Sequence, residues 1–587
     1  MNKEYRNRTY EDAGAQKGFT TKALLSILAL ILAFALTLSS CGASAAAGSQ
    51  TITTTGTEQS ADNAVSKSEM FTERDLSDDY DESEAVTITL SGSSAETSAA
   101  SGVSIDGSTV TISAEGVYIV SGTLSDGQII VEAEDSAKVQ IVLKDASITS
   151  STSAALYVKS ADKVFVTTAE GTENTLANGG SFTADGDTNV DGAVYAKDDI
   201  TFNGSGSLTI TSPAGHGVVG NDDVKFGGGT YVITASAHGV KANDSARFAE
   251  SDVTITAGAD KDGVHVSDSD DASAAESDSF FYIADGTLTI SAQDDGIHAD
   301  ASVIIEGGTI TVNESYEGIE GLSISISGGS TTVTATDDGL NAAGGNSTSG
   351  SQAFGGDDWK GGGMMTDGGT GGSIVISGGS VKITAGGDGV DSNGSVEISG
   401  GYTVVQGPTN GDTSVLDYNT TATVTAGTFI GTGGAGMAES FSSAEQGLIA
   451  VSVGNQSAGS TVTLKDGSGN VIAEATPDLD YAVVYISTED MAQGSTYTLT
   501  AGSYSESITL SENIYSNLAG GMGGMGAGLG GGGPRGGMNG GMQGGGMRGG
   551  RGQMNGGFEQ GGQAGGMQQG GTDGVTGATQ MTGGNAA

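Results

Sequence analysis

Between residues 85 and 435 the chain alternates apolar and polar positions in short runs such as "AVTITL", "VIIEGGTITV", "LSISISGGSTTVTA" and "SVKITA". Val, Ile or Leu at every second position predicts short β-strands that bury one face and leave Thr, Ser and Asp on the other. Gly-Gly, Asp-Gly and Asn-Gly pairs separate the runs and predict tight corners between strands. The pattern repeats. Aligned on the glycine of an (acid or His)-Gly-(Val, Ile or Leu) motif, Gly192, Gly217, Gly239, Gly263, Gly296, Gly318, Gly339, Gly389 and a degenerate Gly411 recur about every 22 residues. Insertions at about 268–279 and 344–372 account for the two long intervals.

One unit, "DDGIHADASVIIEGGTITVNES" (294–315), holds three β-type pieces, and "EGIEGLSISISGGSTTVTAT" (317–336) repeats them in register. Three strands in so short a repeat suit one rung of a parallel β-helix built from three stacked sheets. A β-propeller blade would need roughly twice that length. The Gly-Gly pairs at 307–308, 328–329, 378–379 and 400–401 fall where an L-residue would be strained. Roughly eleven rungs at about 4.8 Å each predict a rod on the order of 50 Å long. After residue 435 the pattern changes, and "GLIAVSVG", "STVTLKDGSGNVIAEAT", "YAVVYIST" and "STYTLTAG" predict a small antiparallel β domain over 446–515. The expected fold is all-β: a parallel β-helix over 85–435, with about 22 residues per coil and three sheets, then that small domain.

The flanks are of another kind. Lys3, Arg6, Arg8, Lys17 and Lys22 precede the apolar run "ALLSILALILAFALTL", and "LSSCG" follows it. A charged region, an apolar core and small residues before a cleavage point describe a secretory signal. Cys41, the only cysteine, follows Leu38-Ser39-Ser40 directly, which resembles the bacterial lipoprotein box and makes Cys41 the expected lipidation site. Residues 1–41 then form a lipoprotein signal peptide ending at Cys41. The mature chain is expected outside the cell, tethered to the cytoplasmic membrane. Residues 42–84, rich in Ser, Thr, Ala and acids, read as a flexible stalk. Residues 516–587, rich in Gly and Met, cannot bury a core and read as disordered.

Composition narrows the partners. The 587 residues include 102 Gly, 22 Lys and Arg against 71 Asp and Glu, and a formal charge of −49. Nucleic acid is excluded as a partner, because neutralising phosphates requires Lys and Arg. A single cysteine permits no intramolecular disulfide. The acids are also concentrated. Residues before the repeated glycine form a ladder of Asp191, His216, His238, Asp262, Asp295, Glu317, Asp338, Asp388 and Asn410, one strand spacing apart. Residues two after it form another, Lys241, His265, His298, Glu320, Asn341 and Asp391, and Asp294 and Asp337 add charge to the same corner. Carboxylates stacked about 5 Å apart repel, and a divalent cation removes that cost. Calcium takes six to eight oxygens from carboxylates, amides and carbonyls and tolerates irregular geometry. The alternative is a row of Asp-Gly turns on a solvated face. All four histidines lie in this corner and fit either a polar ladder or a transition-metal site. Trp359, the only tryptophan, sits in the second insertion and is a candidate sugar platform; Lys241 and His298, in the second ladder, are further candidate polysaccharide contacts.

The phrases "DDGIHAD", "EGIEG", "DDGLNA" and "DGVDSNG", spaced by "ISGGSVKITA"-type strands, resemble a family of bacterial calcium-binding, carbohydrate-binding domains of the clostridial cellulose- and pectin-binding type, similar to family 9 pectate lyases. The resemblance covers roughly 84–515 and implies a right-handed parallel β-helix, bound calcium and a cellulosic or acidic pectic partner. It also implies that the calcium ligands fall among Asp294, Asp295, Glu317, Glu320, Asp337, Asp338, Asn341, Asp388 and Asp391. A pectate lyase removes the proton α to a uronate carboxylate and needs a Lys or Arg base beside the calcium. After Asp391 no Lys or Arg follows until Lys465, Lys241 lies rungs away from the acid-rich end, and Lys382 is in another strand. The expectation is therefore a non-catalytic, calcium-dependent polysaccharide-binding surface lipoprotein. A calcium-dependent lyase and a structural adhesin are the alternatives.

Overall fold

The alternation of apolar residues becomes an unbroken set of inward rows. In the computed structural model, which describes residues 65–518 apart from 187, 268–278, 343–370, 410 and 412, the chain is all-β, with one 37-stranded sheet and a separate four-stranded sheet. From residue 192 to residue 418 each strand pairs in parallel with its counterparts one repeat before and one repeat after. The chain visits three rows of strands in turn. One row includes Val240–Ala242, Val264–Val266, Leu340–Ala342, Val390–Ser392 and Leu416–Tyr418. A second runs through Asp199–Gly204, Asp223–Phe226, Ser245–Phe248 and Phe280–Ile283, and continues into the second halves of Ile297–Ile305 and Ile319–Ile326. The third includes Thr287–Ser291, Thr309–Glu314, Ser330–Thr334 and Ser380–Thr384.

Register follows from burial. Ile305 pairs with Ile326 and Ile326 with Ile376, and all three are fully buried, so a slip by one residue would turn every rung inside out. Each such side chain contributes about 1.5–3 kcal/mol by leaving water. Toward the N-terminal half the same rows carry aromatics. Phe202, Phe226 and Phe248 stack with ring centroids 4.9 and 5.0 Å apart, and Phe281 follows at 5.5 Å beside the small Ala246.

Two kinds of glycine hold the corners. Gly329, second of its pair, has φ of +74°, where a side chain is strained, and an added Cβ would stand 2.5 Å from the Gly308 carbonyl oxygen. Gly318, the glycine of the (acid)-Gly-(apolar) motif, is different: no positive φ is required, but an added Cβ would collide with Val333 Cγ1 and the Gly339 carbonyl oxygen. The motif therefore answers to close packing between rungs rather than to a turn conformation.

Three expectations need correction. The repeat alignment is displaced at both ends: Gly192 pairs with His216, not Gly217, and Val415, not Gly411, stands against Gly389, because the connections there depart from the regular length. The small antiparallel domain is only partly separate. Val462–Lys465, Val471–Ala475, Thr496–Ala501 and Tyr504–Thr509 form the four-stranded sheet, whereas Tyr481–Ser487 pairs antiparallel with both Thr421–Gly433 and Leu448–Gln456 and extends the large sheet. Residues 65–84, expected as flexible stalk, lie as a strap along the outer side of the second row. Phe71 and Asp75 are buried there, and Arg74 rests 4.3 Å from the Phe165 ring centroid. The reason is charge: the outer side chains of that row include Lys163 and Lys225, and Asp75 stands 2.7 Å from the first and 3.8 Å from the second. Cys41, Trp359, the signal segment, residues 42–64 and nearly all of the tail lie outside the described residues.

Candidate functional site

Where the third row hands over to the first, each rung brings an acid, a glycine and an apolar residue to one corner. The residue two after the glycine joins a continuous column through Lys241, His265, His298, Glu320, Asn341 and Asp391, each paired with the next. The column extends one residue beyond the sequence expectation, to Asp417 opposite Asp391. The residue before the glycine gives a neighbouring column of His238, Asp262, Asp295, Glu317, Asp338 and Asp388. The two columns stand three residues apart across the glycine and meet there: His265 Nδ1 lies 2.5 Å from Asp262 Oδ2 and His298 Nδ1 3.3 Å from Asp295 Oδ2, so both line the same strip of the corner.

The carboxylates of the second column also do a structural job. Asp262 Oδ1 accepts from the Asp295 backbone N–H at 3.1 Å, Asp338 Oδ1 accepts from that of Asp388 at 2.5 Å, and Asp388 Oδ1 accepts from that of Ser414. Each acid thus ties its rung to the next. Asp262 Oδ2 is already taken by His265 Nδ1 at 2.5 Å, whereas toward Asp338 and Asp388 the electrostatics show a shortage of positive charge. Burial, then the neighbouring Asp391 and Asp337, push Asp338 up to about 9. Burial and Asp338 push Asp388 up to about 9. Glu317 rises to about 8 through burial and Glu320, and Asp294 to about 6 through burial and Asp262. Glu439 rises to about 7 through burial and Asp417.

Asn341 adds a second sign. It is 6% exposed, its Nδ2 donates to Glu317 Oε2 at 2.7 Å, and its Oδ1 is buried with no partner among the described residues. A buried amide oxygen without a donor costs free energy unless something else satisfies it. Carboxylate and amide oxygens in this crowding are a hard-donor set that fits a divalent cation. Asp262, Asp294 and Asp295 bring one oxygen each to within 4.8 Å of one another.

The histidine end differs. The four imidazoles follow one another with ring centroids 5.2, 4.4 and 4.9 Å apart. Burial and the neighbouring His238 and Lys241 hold His216 down at about 3, so it is neutral. Burial alone would lower His298, but Asp295, Asp300 and Glu320 outweigh it and hold the imidazolium well above its ordinary range. His298 Nδ1 lies 3.3 Å from Asp295 and bonds Glu320, and its Nε2 lies 3.2 Å from Asp300. It is therefore the internal counter-charge of this part of the ladder. Two triads, His238–Asp262–His265 and Asp295–His298–Glu320, also bring their ligand atoms within 4.8 Å of one another, but their imidazole nitrogens are already engaged by the carboxylates: His238 Nδ1 and His265 Nδ1 lie 3.3 and 2.5 Å from Asp262 Oδ2, and His298 Nδ1 faces Asp295 and Glu320.

The nine expected cation ligands all fall on this corner, with Asp294 and Asp337 at its edge. His298, expected as a polysaccharide contact, is instead fully buried among carboxylates and has no exposed surface to offer a polymer. Lys241 is half-buried in the same column, at the histidine end. Sequence reasoning missed Asp300 and Asp417 as members; Asp417 follows the displaced Val415 instead of a glycine and so carries no motif, while Asp300 is visible in "DDGIHAD".

Residues 106–357 match a protein family described as carbohydrate-binding domain-containing protein. A curated protein of that description from Acetivibrio thermocellus is 35% identical over 136 residues, 23% of this chain and 48% of the relative. The chain thus spans about half the length of that relative. A solved structure described as the polysaccharide lyase-like protein from C. thermocellum, gadolinium derivative, is 28% identical, covering 44% of this chain and 96% of the other, with a TM-score of 0.37.

Proposed function

We propose that this chain is a parallel β-helix that binds a polysaccharide, an acidic pectic or a cellulosic glycan, through calcium ions held on its acid ladder, and does not cleave it. The observation that carries the reading is the strip formed by Glu317, Glu320, Asp338, Asn341, Asp388 and Asp391, where burial and neighbouring acids push Glu317, Asp338 and Asp388 up and Asn341 Oδ1 has no partner among the described residues. Calcium supplies what the strip lacks, a positive charge that accepts many oxygens. A polymer of negative charge cannot approach so acidic a surface directly, and shared cations bridge the two. The similarity of residues 106–357 to a carbohydrate-binding family favours a glycan over other polyanions.

We infer binding rather than cleavage because no ladder position of this strip offers a base among the described residues. β-Elimination needs a Lys or Arg next to the cation. Neither ladder position carries one from Glu317 to Asp417, and Lys382, on another row, points to Asp478 at 3.6 Å. The Cys41 motif supports display outside the cell on a lipid anchor.

The deciding experiment is retention on polygalacturonate with calcium and with chelator, for wild type and for Asp388→Ala with Asp391→Ala. Calcium-dependent retention that weakens in the double variant is the expected result. Retention unchanged by chelator and by the double substitution overturns the reading. Growth of the ultraviolet absorbance of an unsaturated uronate would assign a lyase instead.

A further inference from the structure

A second strip of the surface has the opposite chemistry. On the outer side of the second row, Lys138 pairs with Lys163 in adjacent strands, and Lys225 stands two rungs on from Phe165 in the neighbouring column. The strap adds Arg74. These four cations, from a chain that holds only 22 Lys and Arg, line one cavity of about 400 Å³ together with Phe165 and Asp162. That volume lies within the roughly 300–1,000 Å³ of small-ligand sites.

The counter-charges are unevenly shared. Asp75, fully buried, serves Lys163 at 2.7 Å and also faces Lys225 at 3.8 Å. Lys225 has a second carboxylate, Asp223, at 3.3 Å. Lys138 is 3.0 Å from Asp162, both half-exposed at the mouth. Arg74 makes no ion pair and donates no side-chain hydrogen bond among the described residues; its guanidinium carbon lies over the Phe165 ring, 4.3 Å from the centroid. A guanidinium fixed on an aromatic face keeps its N–H edge oriented for a two-pronged contact with an oxyanion.

We propose that this cavity is an oxyanion site that takes the acidic group of a sugar residue, with Arg74 and Lys138 as the contacting cations. Lys163 and Lys225 stand behind them, held by the buried Asp75. Asp162 and Asp199, which also line the cavity, are acceptors for sugar hydroxyls, a combination that suits a sugar acid better than a bare inorganic anion. A uronate carboxylate and a sugar sulfate share this chemistry. The site works without a divalent cation, which separates it from the acid ladder and makes it independent of the ladder's fate.

The test is equilibrium binding to the full mature chain in excess chelator, with three probes: trigalacturonate, a sulfated disaccharide and inorganic phosphate. Wild type is expected to bind at least one of the sugar acids saturably, and Arg74→Gln with Lys138→Gln to bind it about tenfold or more weakly, since each contact is a hydrogen bond to a charged group. Both residues are exposed or half-exposed, so the melting temperature should not move; Lys382→Gln, on another row, should bind as wild type does. Preference for the sulfated probe over the uronate assigns sulfate as the acidic group and supports the site. No saturable binding of either sugar acid in chelator, equal binding by the double variant, or phosphate bound as tightly as the sugars overturns it. Loss of calcium-dependent retention at the ladder, with this binding intact, would strike only the calcium reading.

Discussion

Asp338 and Asp388 hold protons at neutral pH that a cation must displace, since burial and mutual repulsion push both up to about 9. Calcium uptake at pH 7 is therefore expected to release protons, seen in calorimetry as a binding heat that varies with the ionisation enthalpy of the buffer. Asp388→Asn should reduce the number released; a heat independent of buffer would show that these carboxyls are not ligands. Asp75 is shifted the other way. Burial would raise it, but Lys163 and Lys225 outweigh burial and hold it at about 2. Its unfolded value is near 3.9, so the unfolded chain binds the proton more readily and the stabilisation is present above that pH. It is lost as pH falls through about 2, and amounts to about 2 kcal/mol. Acid titration of stability should show that loss in wild type and not in Asp75→Asn. Coincident curves would mean the pair contributes nothing.

Strands and corners carry the next set of consequences. Ile326 is fully buried in the inward row between Ile305 and Ile376, so Ile326→Ala should cost about 2–5 kcal/mol, and Ile326→Asp should unfold the rungs around it because the charge is unpaired. Chemical denaturation of both variants checks the register, and wild-type stability of either would show it to be wrong. Gly318→Ala should be destabilising although its backbone is unstrained, because Val333 and the Gly339 carbonyl occupy the space of a Cβ. The strap is a test of another kind. Asp75→Ala leaves Lys163 buried without its carboxylate, and removing one partner of a buried pair costs about 3–5 kcal/mol. Faster proteolysis within 65–84, with the strands intact, is the expected readout.

At the scale of the whole molecule the governing quantity is a charge of −49 on a column of stacked rungs. Calcium at a hundred times its dissociation constant should add about 2.7 kcal/mol per site, and sodium at equal ionic strength much less, since it only screens. Melting curves that respond equally to both salts would reduce the ladder to a solvated face. How much of this was legible in the chain depends on what fixes each feature. Val, Ile and Leu at alternate positions determine the strands, and their spacing determines the repeat, because inward burial permits a single register. The column from Lys241 to Asp391 follows from that register alone. The displaced ends do not, since Val415 takes the place of the expected Gly411 through the length of an irregular connection. Nor does the strap: "TERDLSDDYDESE" has no alternation and reads as solvated, and only the outward lysines of strands distant in sequence give it a surface to bind. The chain shows His298 as one more member of a polar ladder. Tertiary packing makes it a buried imidazolium, because the carboxylates of Asp295, Asp300 and Glu320 meet around it only when neighbouring rungs stack. Local pattern thus determined the rung and its order of residues, while burial and net charge at each point, which depend on what the neighbouring rungs and the strap bring, were decided by the fold.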